Sequence, residues 1–164
     1  MEITIRRAIE SDAAELSQMI FDNAKTTLAP YYTEQQWNIF IKYYSTEALR
    51  NKIRQQIIFC ADLDGVIVGS IGLDCDFVVG FYTHLNYLNQ GIGTIMMKHV
   101  EAVALDKNLK EIHLAASPVG LKFYLKNGWR KVKNIIIDHY GVGFEETLMA
   151  KKLWRWGTFI HESK

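Results

Sequence analysis

The sequence predicts an α/β (α+β) fold in which a mixed, mostly antiparallel sheet carries helices on both faces. Two observations point to this class. Three strand-like runs follow one another in the middle of the chain, and the apolar period then changes from that of a strand to that of a helix. The resulting order, β-α-α-β-β-β-α-β-α-β-β, fits neither an all-antiparallel protein nor a regular βαβ repeat.

The N-terminal part predicts one strand followed by helices. Ile3 and Ile5 alternate with polar neighbours, as in a strand. Ser11 is the candidate N-cap of a first helix and Thr33 that of a second. A third, short helical piece is expected near residues 47–55.

The middle of the chain predicts a meander of three antiparallel strands. Residues 57–62 and 66–73 are strand-like and are separated by Asp64-Gly65, a strong hairpin signal. Residues 74–76 form a second expected turn, and residues 77–83 the third strand.

The second half predicts two helices, a strand and a closing hairpin. A long amphipathic helix opens at Gly91-Ile92-Gly93. Ser117-Pro118 predicts the N-cap and first residue of a shorter helix, which Gly128 ends. The expected strands lie at residues 111–115, 129–139 and 144–151.

The composition of the chain restricts the classes of function that it can have. The chain has 164 residues, 49% of them hydrophobic and 23% charged, which suits one domain with its own core. A net charge of +1 does not suggest a nucleic-acid partner. Cys60 and Cys75 stand in apolar surroundings without a CxxC motif, so we expect two reduced core thiols and no metal site. No apolar stretch approaches about 20 residues, so we expect no membrane span and a cytoplasmic location.

The glycine turn before the long helix predicts an anion site. Residues 90–94 follow a strand and begin a helix, whose first N–H groups are unpaired and carry partial positive charge. Glycine lets phosphate oxygens approach the main chain closely. A Walker loop is absent, and Met96 stands where a dinucleotide fingerprint needs its third glycine. A glycine turn without any ligand is the alternative for such a motif in isolation.

Two motifs resemble the GNAT superfamily of acetyltransferases. Residues 81–93 are similar to its acetyl-CoA segment, with His84, Tyr87, Gly91 and Gly93 at matching positions. Residues 116–129 are similar to its second motif, A-x-x-F-Y-x-x-x-G-F/W. Leu88, Asn89 and Gln90 depart from the first motif, where the family usually has Gln or Arg, Gly, and Arg or Lys. The resemblance spans about residues 3–153.

The resemblance implies a single domain over residues 1–153, with a sheet of about seven strands whose fourth and fifth strands splay apart. It implies transfer of an acetyl group from acetyl-CoA to a primary amine by direct attack in a ternary complex. Tyr124 is the implied proton donor to the leaving thiolate, and a backbone N–H near Tyr82 the implied oxyanion donor. The implied cofactor-binding residues are Phe81, Tyr82, Thr83, Leu88, Asn89, Gln90, Gly91, Ile92, Gly93, Thr94, Ser117 and Phe123.

The base and the acceptor site are less determined. The fourth strand, residues 77–81, lacks the Glu that the family often has there. His84 and His139 are alternatives, with structural roles as the competing interpretation, and Asp74, Asp76 and Glu145 are not ranked. By resemblance, Tyr31, Tyr32 and His139 are candidates for acceptor binding. Trp37 either joins Tyr31 and Tyr32 in an aromatic wall of the acceptor site or belongs to the core.

Three functions remain open at this point. The first is an acetyl-CoA-dependent N-acetyltransferase acting on a small-molecule or peptide amine. The second is a non-catalytic acyl-CoA-binding module, and the third a protein without a CoA site. Residues 154–164 form a basic aromatic tail that we expect to pack on the domain or on a second subunit, in a homodimer, rather than on nucleic acid or a membrane.

Overall fold

The computed structural model describes residues 2–155, which form seven strands and five α-helices. The strands are β1 (Thr4–Arg7), β2 (Ile57–Leu63), β3 (Val66–Asp74), β4 (Phe77–Thr83), β5 (Glu111–Ala116), β6 (Arg130–His139) and β7 (Val142–Lys152). The helices are α1 (Ala13–Thr27), α2 (Glu34–Tyr43), α3 (Thr46–Gln55), α4 (Ile92–Asp106) and α5 (Leu121–Lys126).

The strands form one sheet in the order β1-β2-β3-β4-β5-β7-β6. All neighbours are antiparallel except β4 and β5, which run parallel. The predicted mixed, mostly antiparallel class is therefore confirmed. The meander and the closing hairpin also form at the predicted places, because Asp64-Gly65 and Tyr140-Gly141 adopt the positive φ angles that tight hairpin turns need.

Each face of the sheet has its own apolar core. Alternating residues of β3 point to opposite sides, with Ile67 in one core and Val68 in the other. Leu16 and Ile20 of α1 pack with Ile67 on the first face, and Met96 and Val100 of α4 pack on the second. Helices on both faces were predicted. They are required because apolar side chains alternate between the two faces of the strands, so each face needs a cover.

Helix starts follow local capping chemistry at some predicted positions and not at others. Thr33 caps α2: its hydroxyl accepts a hydrogen bond from the Gln36 N–H at 3.1 Å, while the Gln36 side chain accepts one from the Thr33 N–H. The prediction for Ser11 was wrong. Residues Glu10–Asp12 form a 3-10 turn, and α1 begins at Ala13. The Asp12 carboxylate organises this turn by accepting from the Ile9 N–H and from the Arg6 guanidinium.

The helix start at Ser117-Pro118 was also wrong. These residues form a turn, in which the Gly120 N–H donates to the Ser117 carbonyl at 3.1 Å, and α5 begins only at Leu121. The cysteine prediction holds for Cys60, which is buried, but Cys75 is exposed at the β3–β4 turn with a φ of 54°. A turn residue lies at the surface whatever the polarity of its neighbours.

The end of the described chain crosses the second face. The Arg155 guanidinium donates a hydrogen bond to the Leu105 carbonyl of α4, and Trp154 is exposed. Residues 156–164, the remainder of the predicted tail, lie outside the described residues, so the packing of the tail stays a prediction. Within residues 2–155 no helix combines the length and apolarity that crossing a membrane requires.

Candidate functional site

The site begins where the sheet opens. β4 and β5 are paired only at Phe77 and His113, and beyond that pair the two strands diverge. The imidazole of His113 closes the narrow end, with Nδ1 3.0 Å from Asp76 Oδ2 and Nε2 3.0 Å from Glu111 Oε1. The strand edges beyond this clamp are unpaired, so their main-chain groups face a gap in which a ligand can bind.

A bulge directs the β4 main chain toward this gap. The β3–β4 register shifts between Ser70 and Gly72, and Gly80 takes a φ of 57° that favours glycine. The Ser70 hydroxyl holds the bulge by donating to the Gly80 carbonyl at 2.7 Å. Because a bulge re-aims the residues that follow it, Phe81 and Tyr82 lie at the gap and line cavities on both sides of it.

The predicted glycine turn lies at the wide end of the gap. Gly91 has a φ of 83°, and a Cβ added to it would meet no heavy atom within 4 Å. The helix α4 starts at the next residue without a side-chain cap, so the N–H groups of its first turn remain available. Anions bind at such a helix start through N–H donation and the helix dipole.

A cleft of about 600 Å³, here called the long cleft, runs from this helix start along β4 to α5. Eleven of the twelve predicted cofactor-binding residues line it. Gln90 is the exception: its side chain is exposed, and its Nε2 donates to the Asn86 carbonyl at 3.4 Å. The elongated shape, with free N–H groups at one end, fits a long ligand that carries phosphates.

Tyr124 stands where the long cleft meets a second cavity. Gly120 allows this placement, because a Cβ there would lie 2.9 Å from the Tyr124 ring. Burial and the nearby Glu146 charge raise the pKa of Tyr124, so its hydroxyl stays protonated. Among residues 2–155 no group forms a hydrogen bond with that hydroxyl, which leaves it free to donate to a ligand.

The second cavity, here called the inner cavity, measures about 220 Å³ and lies between β4, β5 and the β6–β7 hairpin. Aromatic side chains form about half of its walls. They include Tyr32, Tyr43, Tyr44, Tyr82, Tyr124 and His139. One carboxylate, Glu146 of β7, also faces it.

Glu146 is the functional candidate that sequence reasoning missed. Burial raises its pKa to about 7, and no hydrogen bond or ion pair to it occurs in the described part of the chain. Its charge in turn raises the pKa of each of the five tyrosines around it, Tyr32, Tyr43, Tyr44, Tyr82 and Tyr124. The signal was present in the sequence: adjacent strand residues face opposite sides, so one of Glu145 and Glu146 had to point inward.

The other carboxylates considered from the sequence lie elsewhere. Glu145 is exposed and lines an outer groove of about 350 Å³, which shares Tyr32, Ser117 and Glu146 with the inner cavity. Asp76 is engaged by His113, and Asp74 is exposed at the end of β3. None of the three faces the inner cavity.

The remaining predicted residues divide between site and scaffold. Tyr32 and His139 line the inner cavity, whereas Tyr31 lies in the outer groove and is 70% exposed. Trp37 belongs to the core, stacked on Phe40 with ring centroids 5.5 Å apart. His84 is structural, since its Nδ1 accepts from the Asn86 N–H at 3.1 Å and caps a 3-10 turn.

A splayed sheet, a helix N-terminus at one end of a long cleft and a tyrosine at its junction with an aromatic cavity define an acyl-CoA-dependent transferase. The family model of the acetyltransferase (GNAT) domain matches residues 28–153. The chain therefore belongs to the GNAT acetyltransferase family, and it is an N-acetyltransferase that uses acetyl-CoA as donor.

Solved structures agree with the fold. A GCN5-related N-acetyltransferase from Rhodopseudomonas palustris is 22% identical, with a TM-score of 0.86 over 93% of this chain and 97% of that one. The PaiA N-acetyltransferase from Thermoplasma acidophilum, in complex with coenzyme A, is 25% identical, with a TM-score of 0.77 over 93% and 99%. A GNAT-family acetyltransferase from Staphylococcus aureus Mu50 is 19% identical, with a TM-score of 0.71 over 93% and 100%. No curated protein sequence matches the chain.

Proposed function

We propose that the chain acetylates a small primary amine that enters the inner cavity, with Glu146 as the proton acceptor and Tyr124 as the donor to the departing sulfur. The observation that carries this proposal is an unpaired carboxylate in an aromatic cavity that meets the long cleft at Tyr124. Aromatic faces and a carboxylate attract an alkylammonium. The volume of about 220 Å³ suits a small acceptor or the end of a longer one.

The residues of the long cleft suit acetyl-CoA, which supplies a thioester that an amine can attack. The free N–H groups of the first turn of α4 support binding of the pyrophosphate there, and the open space at Gly91 supports it too. The splayed edge of β4 at Phe81, Tyr82 and Thr83 offers main-chain groups to the pantetheine arm. We assign an N–H near Tyr82 to stabilise negative charge on the carbonyl oxygen.

Proton movements follow from the two titrating groups. An alkylammonium of pKa about 10.4 must lose a proton before its nitrogen can attack. A carboxylate with a pKa of about 7 is a far better acceptor for that proton than an ordinary Glu. The Tyr124 phenol is protonated before the attack and donates its proton to the sulfur as the carbon–sulfur bond breaks, so CoA leaves as a thiol. The proton that the amine nitrogen loses on becoming an amide restores the phenol, and Glu146 releases its proton to solvent. His139 is half-buried, and burial lowers its pKa, so its neutral imidazole forms part of the cavity wall.

A thiol-release assay with acetyl-CoA and a panel of small alkylamines, arylalkylamines, amino acids and peptides tests this function. We expect release of CoA with small primary amines and not with their tertiary analogues. Binding of acetyl-CoA, seen as a rise in melting temperature, without release of CoA for any amine would instead support the non-catalytic binding module. The cytoplasmic location and the homodimer stay predictions from the sequence.

A further inference from the structure

Lys52 of α3 is a half-buried amine that has no carboxylate partner among residues 2–155. Its Nζ donates to the Tyr43 carbonyl at 2.5 Å, and it lies 3.1 Å from the Tyr43 ring centroid and 4.4 Å from that of Tyr44. No Asp or Glu oxygen of residues 2–155 comes within 4.0 Å of it. Burial lowers its pKa to about 7. Burial disfavours the charged form of this amine, so an anion brought beside it would favour the ammonium.

A small cavity of about 20 Å³, here called the Lys52 pocket, adjoins the inner cavity. The two share four residues, Tyr43, Tyr44, Val79 and Gly80. The charge of Lys52 also lowers the pKa of His139, which lines the inner cavity. Lys52 therefore acts electrostatically on the space in which the acceptor binds, although it does not belong to the cofactor cleft.

One acidic and one basic side chain lie at different places around the inner cavity. Glu146 of β7 lines the inner cavity with Tyr124, and Lys52 of α3 lines the adjoining pocket with Tyr43. Neither side chain has an ion-pair partner among residues 2–155. A ligand complementary to both carries an amine toward Glu146 and an anionic group toward Lys52. The Lys52 pocket has room for about one water-sized group, which matches a carboxylate oxygen better than a phosphate.

From this geometry we infer that Lys52 recognises a carboxylate of the acceptor, so that the preferred acceptors are amino acids rather than simple amines. This inference rests on the proposed function. Two of the three Nζ donors remain after the bond to Tyr43, so the ammonium can hold a carboxylate without leaving its place. Gln56 lines the same pocket, and its Nε2 donates to Asp74 Oδ2 at 3.5 Å.

Matched pairs of acceptors test the inference. Each pair is an amino acid and the amine that lacks its carboxylate: phenylalanine and phenethylamine, tryptophan and tryptamine, and ω-amino acids from glycine to ε-aminocaproate with the corresponding alkylamines. With acetyl-CoA saturating, we expect the best amino acid to exceed its partner amine about tenfold or more in kcat/KM, through KM. Hydrogen bonds to charged groups are large enough for such a difference.

Variants of Lys52 test whether this side chain causes the preference for amino acids over amines. We expect Lys52→Met to abolish the preference by raising KM for the amino acid about tenfold relative to KM for the matching amine. Lys52→Arg, which retains the cation, should keep a preference for the amino acid. Lys42→Met, at an exposed lysine of α2, is the control for loss of a positive charge. Melting temperatures show whether each variant is folded.

The outcomes separate the two proposals. If the amines are acetylated as well as or better than their amino acids, Lys52 does not select a carboxylate, and the proposed function still stands. The same conclusion follows if Lys52→Met raises KM equally for both members of a pair, or if Lys52→Arg and Lys52→Met behave alike. If no amine of any kind releases CoA, the proposed function fails, and this inference fails with it.

Discussion

The long cleft and the inner cavity meet at Tyr124 but are built in different ways. The long cleft presents main-chain groups: the free N–H donors at the start of α4 and the unpaired edge of β4. The inner cavity presents side chains, drawn from the segment before α2, from α2, and from β6 and β7. One site therefore depends on backbone conformation and the other on residue identity.

This difference explains where substitution is tolerated. Leu88, Asn89 and Gln90 depart from the usual motif, yet the turn around Gly91 retains its conformation and its donors. No such tolerance is expected in the inner cavity, where one carboxylate and one phenol carry the proposed proton transfers. The following variants test this difference between the long cleft and the inner cavity, in order of decreasing expected effect on the kinetics.

Glu146→Gln should have the largest effect. Removing the proton acceptor is expected to lower kcat/KM about 100-fold. The pKa of Glu146, raised to about 7, also predicts that wild-type kcat/KM rises as the pH approaches about 7 and then levels off, because the carboxylate must be ionised to accept a proton. Glu146→Gln should lose this rise, which a pH–rate profile measures.

Glu145→Gln is the matched control, since the neighbouring carboxylate is exposed on the outer groove. Equal losses in the two variants would remove Glu146 from the mechanism.

Glu146→Gln should also change the stability of the fold. The folded-state pKa of Glu146 is raised from 4.5 to about 7, so this carboxyl lowers the free energy of unfolding as the pH rises from 4.5 to about 7, and the loss then levels off. Glu146→Gln should therefore raise the melting temperature more at about pH 8 than at about pH 5.

Tyr124→Phe should lower kcat by about tenfold or more while leaving KM for acetyl-CoA nearly unchanged. The ring still packs against Gly120, and only the donor to the sulfur is lost. Steady-state kinetics measure both constants. Tyr140→Phe, at the exposed tip of the β6–β7 hairpin, is the control. Unchanged turnover in Tyr124→Phe would exclude the hydroxyl from the reaction.

Gly91→Ala should act on cofactor affinity instead. A Cβ at the helix start strains a residue with a φ of 83° and narrows the approach of the phosphates, so we expect KM for acetyl-CoA to rise about fivefold. Gly65→Ala, in the β2–β3 turn, is matched in conformation, with a φ of 85° and equally open surroundings. If both variants shift the kinetics alike, the effect is strain and not phosphate binding.

Gln90→Ala should have the smallest effect, a change in KM for acetyl-CoA of less than about twofold. The Gln90 side chain is exposed and does not line the long cleft. A larger loss, measured by titrating acetyl-CoA in the same assay, would show that this loop binds through side chains and would remove the contrast between the two sites.

Local signals were sufficient for most of the fold and for the main-chain site. Asp64-Gly65 and Thr33 act through neighbours in the sequence, and both do what their chemistry predicts. Ser11 and Ser117 have equally suitable side chains, but α1 begins at Ala13 and α5 at Leu121. At the first of these starts, the Arg6–Asp12 ion pair joins β1 to the turn before the helix.

What the sequence determined by itself is the part that periodicity, turn chemistry and the glycine turn encode: the mixed sheet, the helix α4 and the cleft at its start. The tertiary structure decided which side chains surround the acceptor. Glu146, Tyr43 and Lys52 come from β7, α2 and α3, and the inward direction of Glu146 depends on the register of β6 with β7. Their pKa values depend on burial, a property of the packed molecule that no local pattern carries.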